Sequence, residues 1–191
     1  MGFEQHAVVW SVDSVTVSTR RLPMPGAGQV VLRLESIGLC SSDFHIWRGS
    51  KPGKAGILGH EGAGEIIAVG PDTAGWTPGD FAIVNPLLNC GTCGECLAGR
   101  GHICDRREII GYNGAGLIAD LQLVEARSLM RPPAGLSRRH GCLVEPLACV
   151  VHAQRRLARV PKNLLVLGGG PMGVMHVGMV ISVHPHGKFF E

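Results

Sequence analysis

The sequence predicts a mostly β, barrel-like body followed by the opening of an α/β nucleotide-binding unit. Three observations carry this reading. Residues 7 to about 124 contain short runs rich in Val, Ile and Leu: AVVWSV, SVTVST, QVVLRLES, GEIIAVG, FAIV and LIADLQLV. Turn signals separate them, among them PMPGAG, KPGKAG and the stretch from Pro71 to Gly79. After Pro132-Pro133 the hydrophobic period changes to that of helices, and a glycine turn, GGGPMG, opens a last apolar segment of helical length.

Composition bounds what such a chain can be. Its 191 residues suffice for one large domain, or one domain and a fragment. With 45% hydrophobic and 17% charged residues it is too apolar for a disordered tail, and its 28 Gly and 12 Pro follow no collagen period. The net charge of +3 comes from basic residues scattered in ones and twos, which excludes a nucleic-acid or lipid-headgroup patch. At the N-terminus, Glu4 and a short apolar run do not make a signal peptide, and His6 stands where a myristoylation site carries Ser or Thr. A cytoplasmic location is expected, where the seven cysteines act as ligands or buried thiols rather than disulfides.

The later elements follow in order. A helix is expected from Pro146 to about Ala158, with Pro in its first position, Arg155, Arg156 and Arg159 near its C-terminus, and Pro161 ending it. Asn163 to Leu167 then reads as a short strand leading into the glycine turn and a helix. The stretch Leu164 to Val183 has no formal charge, but its five glycines and Pro171 fit strand, turn and helix better than a membrane span. Cys142 and Cys149 are read as small buried residues.

The run NCGTCGECLAGRGHIC spaces Cys90, Cys93, Cys96 and Cys104 as C-x2-C-x2-C-x7-C. Four thiolates so close repel one another unless a cation gathers them, as tetrahedral zinc does. The first three cysteines also match an iron–sulfur run, but there the fourth follows after three residues and precedes Pro; here it follows after seven and precedes Asp105. Gly91, Gly94 and Glu95 mark an exposed lobe, at about residues 88–106, rather than a core of free thiols. A site with four protein sulfurs is closed and therefore structural.

A second set lies outside this lobe: Cys40 in GLCSSDFH, His60-Glu61 in GHEGAGEIIAVG, and Glu145 in VEPLACVVHA. A catalytic zinc takes three protein ligands from Cys, His and carboxylate and keeps one position open. Cys40, His60 and Glu145 supply that set, with Glu61 as an exchanging carboxylate.

These runs, with Gly64 and Gly70 after the GHE and the G-x-G-x-x-G of Gly168, Gly170 and Gly173, stand in an order that resembles the zinc-containing medium-chain alcohol and polyol dehydrogenases. The Glu-Pro at Glu145 is similar to the sorbitol and threonine dehydrogenase branch. The resemblance implies a GroES-like barrel over residues 1–160, followed at 161–191 by a nucleotide-binding (Rossmann) segment. It implies two zinc ions per chain, NAD or NADP, and oxidation of a small alcohol, polyol or amino alcohol. Ser42 would take the substrate proton and His45 would release it to solvent. Asp43 would orient His60, Trp47 would line the substrate pocket, and the three fingerprint glycines would seat the cofactor pyrophosphate. Read without the resemblance, Ser42 and Asp43 are helix caps and His45 a solvated helix residue.

A complete nucleotide-binding fold needs about 100 residues beyond the fingerprint. The chain has 18 after Gly173, and Glu191 is the only nearby acidic residue for the cofactor ribose. The expectation is therefore a cofactor domain truncated after its first unit, impaired turnover, and loss of much of the surface through which family members form homo-oligomers. The alternative is a non-catalytic zinc-binding fragment or partner module.

Overall fold

The computed structural model describes residues 2–11, 14–51, 56–157 and 164–183. By contacts the chain separates into two units, Met1–Leu143 and Val144–Glu191. This division falls before the helix that opens the second unit, whereas the sequence reading divides the chain after it.

The first unit is built from strands. β1 (Gly2–Ser11) pairs antiparallel with β2 (Ser14–Pro23) along its whole length, and its other edge takes the two-residue β4 (Gly56–Ile57). The exposed edge strand β2 buries only Leu22 and carries Thr, Ser and Arg side chains, which discourages further pairing. β3 (Gln29–Gly38) lies in a five-stranded antiparallel sheet between β5 (Glu61–Val69) and β9 (Leu121–Glu125). The sheet continues through β6 (Phe81–Val84) to β10 (Leu129–Met130). Val30, Leu32, Ile66, Ala82, Val84 and Val124 from these strands, with Leu117 from the segment before β9, form the main core.

The segment before β9 joins the two sheets. Val8 donates to the Ile118 carbonyl, Asp120 to that of His6, and Leu34 to that of Asp120, each at 2.9 Å. Residues 118–120 thus satisfy backbone groups of β1 and β3 together, which curls the sheets into a barrel-like body. LIADLQLV was expected as one strand, but only its second half lies in β9, because its first half serves both sheets.

α1 (Ser41–Trp47) follows β3 directly. Cys40 is its N-cap, the Asp43 side chain accepts the Cys40 N–H at 3.0 Å, and Gly49, at φ +68°, lies just beyond its end. Its apolar side packs Ile46 and Trp47 against Trp10 and Leu58. A short lobe is closed at its base by β7 (Leu87–Leu88) pairing with β8 (Glu108–Ile109), and contains the one-turn α2 (Gly94–Leu97). The unit ends in a 3-10 helix, Arg138–Leu143. It is fixed by Arg138, which binds Glu35 at 2.6 Å and Glu65 at 3.3 Å, and by the Ser36 hydroxyl, which donates to the Arg138 carbonyl and accepts the Cys142 N–H.

The second unit consists of α3 (Val144–Arg155) packed against α4 (Pro171–Val183), with Gln154 Nε2 bonded to the His176 carbonyl at 3.2 Å. α3 begins two residues earlier than expected; Ala158, Arg159, Pro161 and Asn163 lie outside the described residues. Leu164 to Leu167 are not paired as a strand. A parallel strand exists only through a neighbour's hydrogen bonds, and none of the described strands pairs with this segment. Cys149, expected to be buried, is exposed on α3. No described helix is long and apolar enough to cross a membrane.

Candidate metal centres

Two groups of ligand-type side chains converge in the first unit: Cys90, Cys93, Cys96 and Cys104 in one, and Cys40, His60 and Glu61 in the other, each with its ligand atoms within 4.8 Å of one another.

In the lobe, β7 leads to Cys90, α2 carries Cys96 with Cys93 as its N-cap, and a one-turn 3-10 helix, Gly101–Ile103, returns Cys104. Sulfurs at about 2.3 Å from a tetrahedral zinc stand about 3.8 Å apart. The Cys90–Cys96, Cys93–Cys96, Cys93–Cys104 and Cys104–Cys90 separations are 3.8, 3.5, 3.8 and 3.6 Å. These distances are far beyond a disulfide bond and match the edges of a zinc tetrahedron, so the residues fit the ion. Without an ion the four sulfurs cannot all be charged. The Thr92 backbone N–H and hydroxyl, with the Cys93 N–H, draw the Cys90 thiol down to about 5, whereas desolvation and neighbouring thiols push Cys96 up to about 12. Arg106 Nη2 lies 3.2 Å from Cys90 Sγ and 3.0 Å from Thr92 Oγ1.

The second group is assembled by backbone pairing. β3 ends at Gly38, opposite Glu61 at the start of β5, so Cys40 and the His60-Glu61 pair leave adjacent strand ends. Asp43 is fully buried beneath them; its carboxylate accepts the Cys40 N–H at 3.0 Å and the Gly59 N–H at 3.1 Å. One side chain therefore fixes both loops that carry ligands. Its Oδ1 stands 3.5 Å from His60 Nδ1, which is buried and makes no hydrogen bond among the described residues. Gly59 has φ +89°, and a side chain there would run into Ile118, so the turn before His60 requires glycine.

The Cys40 thiol is held below its usual value, first by its hydrogen bond with His60, then, against burial, by Ser42. Burial would depress His60, but Asp43 and Cys40 together raise it to about 10. Cys40, His60 and Glu61 bring a thiol, an imidazole and a carboxylate within 4.8 Å of one another, a donor set that fits a zinc ion.

Around this pair Ser42 is half-buried in the first turn of α1, and exposed His45 places Nδ1 3.0 Å from Ser50 Oγ. Half-buried Trp47 meets Trp10 edge-on at 5.5 Å. Glu145 lies in the first turn of α3, in the second unit, where Cys149 Sγ is 3.7 Å from its Oε1. The carboxylate gathered with Cys40 and His60 is that of Glu61. In the second unit Gly168 has φ +111°, and a Cβ on Gly173 would lie 1.9 Å from the Gly168 carbonyl oxygen. The glycine turn thus packs closely onto the start of α4.

Sequence reasoning missed Gly38, where a Cβ would stand 2.0 Å from Glu61 Oε2, and Tyr112, whose ring lies edge-on to His60 at 6.0 Å. The role of Gly38 shows only once the β3–β5 register is known, and no local pattern marks Tyr112.

The alcohol dehydrogenase GroES-like domain matches residues 26–134, which include Cys40, His60, Glu61 and the whole cysteine lobe. The chain belongs to that family. This alcohol dehydrogenase-type chain is 36% identical over 163 residues to a 2-dehydro-3-deoxy-L-galactonate 5-dehydrogenase of Pseudoalteromonas atlantica, covering 83% of itself and 48% of that relative. It is 34% identical to a sorbitol dehydrogenase of Halalkalibacterium halodurans, covering 80% and 46%. Galactitol-1-phosphate dehydrogenase from Escherichia coli superposes with TM-score 0.83 at 28% identity, covering 93% of this chain and 52% of that one. A zinc-binding dehydrogenase from Sinorhizobium meliloti 1021, solved with NADP bound, gives TM-score 0.84 at 30% identity, covering 93% and 53%. The alcohol dehydrogenase-type chain spans about half the length of the curated relatives it matches.

Proposed function

We propose that the chain carries the zinc-binding, substrate-activating part of an NAD(P)-linked dehydrogenase acting on a small alcohol, polyol or amino alcohol. The observation that carries this is the convergence of Cys40, His60 and Glu61 over the buried Asp43, separate from a complete four-sulfur lobe. Relatives named for galactonate, sorbitol and threonine oxidation support the substrate class. Neighbours solved with NADP, NADH and NAD support the cofactor.

In this reading Cys40 and His60 hold a catalytic zinc with a carboxylate, either the neighbouring Glu61 or Glu145, which the EPLA run favours. When bound, zinc lowers the pKa of an alcohol oxygen and nicotinamide accepts the hydride. The protein's own residues do the rest. Asp43 holds both ligand loops at fixed spacing, the Ser42 hydroxyl receives the substrate proton, and exposed His45, three residues further along α1, returns it to water. Trp47 gives an apolar wall, and Gly168, Gly170 and Gly173 let the pyrophosphate approach the start of α4. Cys90, Cys93, Cys96 and Cys104 hold the second zinc and fold the lobe.

Metal analysis of the purified chain tests this. About two zinc per chain are expected, falling to about one in His60→Ala with the lobe intact. Wild-type protein with one zinc, unchanged by His60→Ala, overturns the catalytic site. The same preparations, assayed with threonine, sorbitol and galactonate in NAD and in NADP, test substrate class and cofactor.

A further inference from the structure

We propose that Arg106 is the positioning partner of the lobe's metal: its guanidinium binds Cys90 Sγ and Thr92 Oγ1 together, offsets the negative charge of a four-thiolate zinc, and slows release of the ion. The proposal rests on the zinc reading of the lobe.

Four thiolates around one Zn²⁺ leave a net charge of −2, and the lobe surface adds Glu95, Asp105 and Glu108. The nearby cations are committed differently. Arg100 pairs with Glu95 at 2.6 Å, and Arg107 donates to the Cys104 carbonyl at 2.9 Å. Among the described residues, Arg106 is the cation hydrogen-bonded to a sulfur. Its second bond, to Thr92 Oγ1, fixes the guanidinium on the outer side of Cys90, and the Thr92 hydroxyl itself lies 3.6 Å from the same sulfur.

A charge-assisted N–H bond withdraws electron density from a thiolate, so the sulfur is harder to protonate or alkylate. Loss of zinc starts when one thiolate is taken away from it. Cys104 is fully buried, whereas Cys90 is only half-buried. Arg106 therefore guards an accessible corner of the tetrahedron. Nothing in the spacing of the cysteines announces this residue, because it follows the last of them and reaches back across the lobe to the first.

The test uses the zinc-loaded full chain as wild type, Arg106→Met, Arg106→Lys and Arg100→Gln, with zinc transfer to a colorimetric chelator followed over time. Arg106→Met should release the lobe zinc about 10-fold faster. Arg106→Lys, which retains charge and donor, should stay near wild type, and so should Arg100→Gln, which removes a lobe cation that touches no sulfur. Iodoacetamide labelling mapped by mass spectrometry should then find Cys90 modified first and faster in Arg106→Met, a change that general loosening of the lobe would not confine to one cysteine. Should Arg106→Met fail to fold, Thr92→Val is read instead, with an intermediate acceleration. Wild-type release rates and an unaltered labelling order overturn the role of Arg106 while leaving the zinc site standing. A cobalt-substituted wild-type chain without strong sulfur-to-cobalt absorption in the near ultraviolet overturns the zinc reading, and the proposal with it.

Discussion

A Cβ on Gly38 would lie 2.0 Å from Glu61 Oε2 and 3.0 Å from Glu61 Cβ, so the carboxylate already fills the space beside this glycine. Gly38→Ala should displace the Glu61 side chain and loosen the metal group, while the sulfur lobe keeps its ion. Metal analysis is expected to show zinc falling from about two toward about one per chain; retention of both ions would mean that Glu61 has room to move without consequence. Asp43 makes a second residue-scale case. Its buried carboxylate accepts two backbone N–H groups, from Cys40 and Gly59. Asp43→Asn turns one acceptor into a donor, leaving a buried N–H facing an NH₂. A loss of about 1–3 kcal/mol is expected. Urea unfolding measures it, and an unchanged midpoint would show that the carboxylate's bonds contribute nothing net.

Between elements, the joint of β1 with the segment before β9 depends on a titrating pair. His6 Nδ1 lies 2.9 Å from Asp120 Oδ2, and the His6 N–H donates to Asp120 Oδ1 at 2.7 Å. The hydrogen bond to Asp120 raises His6 above its ordinary 6.5; burial opposes ionisation of Asp120, but the His6 and Leu121 donors bring it below 3.8. Stability from the raised histidine is fully present below pH 6.5 and fades as pH rises through its folded value. Stability from the depressed carboxyl is present above pH 3.8 and fades as pH falls through its folded value. The destabilisation caused by His6→Gln should therefore be greatest between about pH 4 and about pH 6.5 and shrink above that. Thermal unfolding across pH 5 to 8.5 checks it, and a difference independent of pH would remove the ion pair from the account. Such joints also mark the limit of what the sequence made legible. β1, β3, β5 and β6 were readable because runs of Val and Ile suit strands wherever they are placed. β4, β7, β8 and β10 are two residues long and exist only through their partners, so no local pattern could announce them. The ligand runs were legible because few residue types bind zinc. Gly38 was not, because its role depends on a β3–β5 register shifted by irregularities at Val31/Leu32 and Leu34/Ser36.

Across the whole molecule stability is distributed unevenly, and the metal reading says where it should fail first. The main sheet encloses fully buried Val30, Leu32 and Ile66, so Leu32→Ala should cost about 2–5 kcal/mol of global stability. The cysteine lobe has no comparable core. Leu97 is 77% exposed and Ile103 49%, and the buried apolar group within the loop is Cys104. Two-residue β7 and β8 and the single turn of α2 cannot hold such a segment by their own hydrogen bonds. Its order must come from whatever joins the four sulfurs, and a bound ion contributes its binding free energy directly to folding of the loop. Removing metal with a strong chelator should therefore abolish hydrogen-exchange protection over residues 87–109, while amides of β3, β5 and β6 remain protected. Loss of protection throughout the barrel would mean that the lobe is a keystone of the whole unit rather than an appended loop. Unchanged protection in the lobe would mean that the sulfurs hold together without an ion, against the repulsion that their spacing implies.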